Sequence, residues 1–225
     1  MDENGEAGLP FLVILDLVGR GVGIVKEGRD GGVDASLEER VIHSDEVFSG
    51  RVISLRVDRV ELPEGRVAER EVVVHPGAAA VVAVDAAGMV ILVEQYRHCA
   101  GRVLLEIPAG KIDSGETPLD CAARELMEET GIASTSLEQI GEFFTSPGFS
   151  TEIIHLFLAR GLEVRSGSRP DPDEVIRVWR APLGEVRGMI ERGEIRDAKS
   201  IAGLLIAEEV VAGGRPLLRD RGERR

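Results

Sequence analysis

Between Gly110 and Ile132 the chain reads GKIDSGETPLDCAARELMEETGI, with six acidic residues against two basic ones, and Glu125, Glu128 and Glu129 fall within five positions. Two unit charges about 4 Å apart near a protein surface repel by about 4 kcal/mol, and a like-charge i,i+4 pair costs an isolated helix roughly 0.2–0.5 kcal/mol. A hard divalent cation turns that repulsion into ligation, because Mg²⁺ takes oxygen donors and bridges carboxylates to a substrate phosphate. The chemistry open to these residues is therefore binding of a divalent metal that can bridge to a phosphate. The competing reading is a solvated acidic helix face.

For three carboxylates to converge, the segment must be helical. Leu119, Ala122, Ala123, Leu126, Met127 and Thr130 follow the i, i+3, i+4, i+7 pattern, which predicts one buried face with the acids opposite. At about 100° per residue, Glu125 and Glu129 project about 40° apart and Glu128 about 60° to the other side of Glu125. Around this helix, expected over Glu116 to Thr130, the runs RVISLRVDRVEL, REVVVH, AAAVVAV and MVILVEQY predict strands. Turn chemistry separates them at Pro63-Glu64-Gly65, Pro76-Gly77 and Ala86-Ala87-Gly88. Further strands are expected near 141–145, 153–159 and 175–181, and helices over 183–192 and 198–211. Strands, a helix, strands, then helices predict an α/β fold, a mixed sheet with helices packed on it.

Composition narrows the function classes. The 225 residues are 43% hydrophobic, ample for a core, and 27 basic against 40 acidic residues give a net charge of −13. Nothing broad would neutralise a phosphate backbone, so no nucleic-acid partner is expected, while one phosphorylated small molecule can bind locally. Cys99 and Cys121 make neither a disulfide framework nor a zinc motif; they read as free thiols in a reducing, cytoplasmic setting. His43, His75, His98 and His155 have no zinc-like spacing. The apolar run Pro10 to Gly19 is too short to span a bilayer and lacks a basic leader, so no membrane association is expected. Residues 1–39 read as an extension or linker, 40–75 as an N-terminal β-region, 76–212 as the main domain and 213–225 as a tail.

Spacing decides the acidic stripe. Gly110, Glu116, Arg124, Glu125, Leu126, Glu128, Glu129, Gly131 and Ile132 together resemble the signature of the Nudix hydrolases, without a departure. The resemblance implies an α/β/α sandwich with a mixed sheet, preceded here by a small antiparallel β-region. It also implies a loop–helix–loop that holds divalent metal, usually Mg²⁺ with Mn²⁺ as substitute, and cleaves a nucleoside diphosphate linked to another moiety. By that analogy the Ala109 carbonyl, Glu125, Glu128 and Glu129 are metal ligands, with Glu125 and Glu129 principal. Glu116 and Arg124 pair behind them and orient the carboxylates. Gly110 is expected to let the backbone turn, and Gly131 to stop the helix.

The flanks EQYRHCAGRVLLEIPAGKI and FFTSPGFSTEIIHLFLA resemble the ADP-ribose pyrophosphatase branch, over about Val41 to Glu209. This implies hydrolysis of ADP-ribose to AMP and ribose 5-phosphate. Another nucleoside diphosphate sugar such as GDP-mannose is the alternative, and a non-cleaving ADP-ribose sensor a more distant one. On the same resemblance Arg97 and Arg70 would grip phosphate, since guanidinium forks suit its oxygens. Glu106, read as a loop carboxylate before a proline, would add to the metal or ribose site, and Ser146 and Gly148 would shape the pocket. The catalytic base would come from the loop Arg165 to Trp179, with Glu174 favoured and Asp173 next. Relatives exchange an N-terminal β-domain across a homodimer, so a homodimer is expected.

Overall fold

The computed structural model describes residues 37–165 and 175–214. Three strands, β1 (Arg40–Ser49), β2 (Ser54–Glu61) and β3 (Val67–Val74), form an antiparallel sheet in the order β1-β2-β3. Every residue of β1 is exposed. Its sequence RVIHSDEVFS mixes charge and apolar residues without clean alternation, so periodicity gives no strand there. The β2–β3 turn closes where Gly65 donates to the Leu62 carbonyl, with Gly65 at φ 85°.

The second sheet has seven strands. β4 (Ala78–Val84), β5 (Met89–Arg97), β6 (Arg102–Glu106), β7 (Ala109–Lys111), β8 (Ile132–Phe144), β9 (Ile153–Val164) and β10 (Ile176–Pro182) run in the order β10-β5-β4-β9-β8, with β6 on β5 and β7 on β4. β4 and β9 are parallel and the other pairings antiparallel, which makes the sheet mixed. β4 is buried on both faces, as a continuous apolar run should be. Its even-numbered residues join Leu92, Leu156 and Leu204 in one core, and its odd-numbered ones join Ile91, Ala122 and Leu126 in the other. The helix α1 (Pro118–Thr130) contributes to the second core, while α2 (Val186–Glu191) and α3 (Ala198–Val211) pack in the first. The fold is the expected α/β/α sandwich behind a small antiparallel sheet.

One feature of the topology positions the site. β4 and β5 pair only at Ala83↔Ile91 and Val84↔Val90 and then separate. The chain from Arg102 to Lys111 fills the fork, its first half on β5 and its second half on β4, with the Val81 N–H donating to the Pro108 carbonyl at 2.9 Å. Glu106 therefore ends a strand, 2% exposed, where the sequence had suggested a loop carboxylate; Pro108 breaks the run and hides both short strands from a periodicity argument. β8 begins immediately after α1, well before residue 141. Among the described residues no helix is long and apolar enough to cross a membrane.

Candidate active site

α1 carries its own punctuation. The Thr117 side chain caps it by accepting from the Asp120 N–H at 3.2 Å, Pro118 occupies its first turn, and Gly131 closes it at φ 69° with its N–H on the Met127 carbonyl. The buried side of the helix is rotated from the periodicity expectation. Cys121, Ala122, Leu126 and Glu129 are buried, whereas Leu119 and Ala123 are exposed. The acids thus sit at the edge of the packed face rather than opposite it, with Glu129 only 4% exposed. A carboxylate can occupy that face because backbone N–H groups of β7 meet it: Ala109 N–H donates to Glu129 Oε2 at 3.1 Å.

Gly110 is required by space. Its φ is not positive, so turning is not its task; a Cβ built on it would lie 1.9 Å from Glu125 Oε1. Glu125 is seated directly against the β7 backbone. Arg124 sits among the acids: Nε and Nη2 donate to the two oxygens of Glu116 at 2.8 and 2.9 Å, and Nη1 donates to Glu125 at 2.6 Å and Glu128 at 2.9 Å. Nη2 also reaches the Lys111 carbonyl at 3.2 Å, tying helix to loop. Hydrogen bonds from Arg124, working against burial, hold the Glu116 carboxyl down at about 2, and the acids around Arg124, Glu116 foremost, raise its own pKa. Burial, then the charge of Glu116, pushes the neighbouring Cys121 thiol up to about 12, so it is an inert packing residue.

A second charged cluster lies at the fork between β4 and β5. Arg97 donates to both oxygens of Glu106 at 2.9 and 2.8 Å, and Lys199, from the first turn of α3, donates to the same Glu106. Burial pushes the Glu106 carboxyl up, but Arg97 and Lys199 together outweigh it and leave Glu106 below the ordinary carboxylate range. β6 ends at Glu106 and β7 begins at Ala109, whose N–H meets Glu129, so the two clusters adjoin along this short stretch of chain. Asp197 caps α3 by accepting from the Ser200 N–H at 3.0 Å, and the Ser200 hydroxyl accepts the Ile107 N–H at 2.9 Å. Lys199, Asp197 and Ser200 escaped the sequence reading. The spacing Asp197-x-x-Ser200 signals a helix start, but nothing local announces a contact to residues 93 positions away.

The structure brings together Ala109, Glu125, Glu128, Glu129, Glu116 and Arg124, with Arg97 and Glu106 alongside. Arg70 stands apart: it is bonded to Glu39, at 2.5 and 3.0 Å, and to the Glu69 carbonyl on the N-terminal sheet, and not to the acid cluster of its own chain. Ser146 and Gly148 lie on the β8–β9 loop, where the Ser146 carbonyl accepts from Phe149 and Ser150. That loop is pinned to β3 through Val73 N–H to Phe149 at 2.8 Å and Thr151 N–H to Val73 at 3.0 Å. Glu174 and Asp173 lie outside the described residues.

The donor set suits a hard divalent cation: carboxylate oxygens held against a backbone that only glycine allows so close. Among the described residues no three such side chains already form a ready-made cage, and Glu125 and Glu128 both pair with the Arg124 guanidinium.

Comparison with known proteins places this geometry. A NUDIX domain matches residues 74–204, and a nucleoside diphosphate sugar hydrolase N-terminal domain matches residues 39–73. The ADP-ribose pyrophosphatase of Bacillus subtilis (strain 168) is 47% identical over 166 residues, which span 73% of this chain and 90% of that protein. That of Mycobacterium tuberculosis (strain ATCC 25618 / H37Rv) is 40% identical over 177 residues, 76% of this chain and 84% of its own length. A solved ADP compounds hydrolase superposes with a TM-score of 0.69 at 23% identity, covering 79% of this chain and 96% of that one, and so shares the fold. With its acids, its glycine and its arginine in one place, the chain belongs to the Nudix hydrolases, in their ADP-ribose pyrophosphatase branch.

Proposed function

We propose that this protein hydrolyses the diphosphate bond of ADP-ribose, so that water adds to phosphorus, the bridging P–O bond breaks, and AMP and ribose 5-phosphate leave. The observation that carries the reading is the seating of Glu125 and Glu129 on the Ala109–Gly110 backbone, with Arg124 fixing the carboxylates from behind. The two pyrophosphatase relatives supply the substrate.

Nudix hydrolases are generally dependent on divalent metal. Here Mg²⁺, with Mn²⁺ as substitute, would be held by the Ala109 carbonyl, Glu125, Glu128 and Glu129, and when bound it would neutralise diphosphate charge and acidify a water. Arg124 balances the repulsion among these acids and sets their orientation through Glu116. Arg97 offers the substrate its Nη1 group, which takes no partner among the described residues while Glu106 holds Nε and Nη2. Ser146 and Gly148, on the β8–β9 loop, would shape the substrate pocket, and the proton of the attacking water is assigned to Glu174, then Asp173, on sequence grounds.

The protein is further proposed to act as a cytoplasmic homodimer. β1 exposes Val41, Ile42, Val47 and Phe48 on a sheet that no helix among the described residues covers, and pairing with a second copy would bring Arg70 to the partner's site. The substrate assignment is tested by incubating the chain with an equimolar panel of ADP-ribose, GDP-mannose and other nucleotide sugars. ADP-ribose should be consumed first; preferential cleavage of GDP-mannose would keep the chemistry and discard the substrate, and binding without products would make it a sensor.

A further inference from the structure

One largely enclosed cation, Lys199, has no part in the mechanism so far. The Lys199 side chain is 12% exposed, and its ammonium is shared between Glu106 Oε2 and, at 2.6 Å, Asp197 Oδ2. Glu106 is the more buried partner and already holds two nitrogens of Arg97. A carboxylate so enclosed binds its counter-ion tightly, because removing either partner leaves an uncompensated charge. With Arg97 as its only cation, Glu106 would monopolise that guanidinium. With Lys199 present the negative charge is divided, and Arg97, 39% exposed on its outer side, can turn part of its charge toward an incoming anion. The lysine is itself fixed: Asp197 is the cap of α3, and Ser200 donates to Asp197 at 2.6 Å while accepting from Ile107, the residue that follows Glu106.

We infer that Lys199 is a positioning residue of the substrate site, which acts through Glu106 to hold Arg97 in the orientation that receives the diphosphate. The inference rests on the reading of Arg97 as a substrate ligand. A lysine serving stability alone would affect folding and leave the kinetic constants where they were. A positioning lysine alters substrate capture selectively, and its effect requires Arg97.

The experiment is steady-state kinetics on the full chain with Mg²⁺, for wild type, Lys199→Met, Lys199→Gln, Lys199→Arg, Arg97→Ala and the double variant Lys199→Met/Arg97→Ala. Lys199→Met should raise KM for ADP-ribose about tenfold while kcat changes less than about threefold. Lys199→Arg should restore most of the loss, and in the Arg97→Ala background Lys199→Met should raise KM no further. An unchanged KM in folded Lys199→Met would overturn the inference, as would an equal rise in KM with and without Arg97. Should Lys199→Met not fold, Lys199→Gln carries the same expectation, and failure of both to fold makes Lys199 a stability residue instead. If the wild type prefers another member of the panel, the same six proteins are assayed on that member: the substrate reading fails in the wild type, the positioning role only in the variants. A wild type that cleaves no member ends both.

Discussion

A Cβ on Gly110 would lie 1.9 Å from Glu125 Oε1 and 2.0 Å from its Cδ, and the clashing atoms are the far end of a flexible side chain. Gly110→Ala should therefore fold, with a stability change within about 1 kcal/mol by chemical denaturation, because Glu125 can swing aside. Turnover should fall on the order of 100-fold, because the displaced carboxylate no longer meets the Ala109–Gly110 backbone. Arg124→Ala acts differently: it leaves Glu116, Glu125 and Glu128 without the guanidinium that orients them, so apparent Mg²⁺ affinity should fall by about 10- to 100-fold in a metal titration of activity. A substitution at Glu128 should cost less than one at Glu129, since Glu128 is the most exposed of the three acids.

At the scale of elements, α1 depends on its cap. Thr117→Ala removes the side-chain acceptor of the Asp120 N–H and should lower stability by about 1 kcal/mol, read as a shift in denaturation midpoint with unchanged slope. α3 depends on close approach. A Cβ at Gly203 would lie 2.9 Å from both Ile107 Cδ1 and Leu156 Cδ1, so the helix lies close against the sheet behind Ile107. The elements also mark what the sequence could and could not disclose. α3 was legible to its ends, Ala198 to Val211, because a sustained apolar run announces it. The strands β6 and β7 were not, because a fork between two diverging strands is a tertiary event and each piece is too short for a period to appear. The acid helix lies between these cases. Its residues were legible from spacing, but the face it buries was rotated, because the β7 backbone can satisfy Glu129 where apolar patterning alone would have placed Met127 or Leu119.

At the scale of the whole molecule, carboxylates at and beside the site have depressed pKa values: Glu116 at about 2, with Glu106 and Asp197 also lowered. A carboxyl held below its unfolded value adds stability above that value and loses it as pH falls toward the folded one. For Glu116 the window runs from the ordinary 4.5 down to about 2. Thermal melts over that range should show a falling Tm, and the decline should be shallower in Glu116→Gln; an identical slope would mean the Arg124 pairing contributes nothing. The exposed apolar residues of β1 belong to the same scale. Sedimentation should give a dimer mass, and Phe48→Asp, which places a charge on that face, should shift it toward monomer.

The central claim joins the acid cluster to one reaction, and product chromatography on ADP-ribose tests both at once, with wild type and Glu129→Gln each assayed with Mg²⁺ and with chelator. The account predicts equimolar AMP and ribose 5-phosphate from wild type with Mg²⁺, release abolished by chelator, and a loss on the order of 100-fold or more in a folded Glu129→Gln. Wild-type turnover by Glu129→Gln, or the same products at the same rate in chelator, would contradict it.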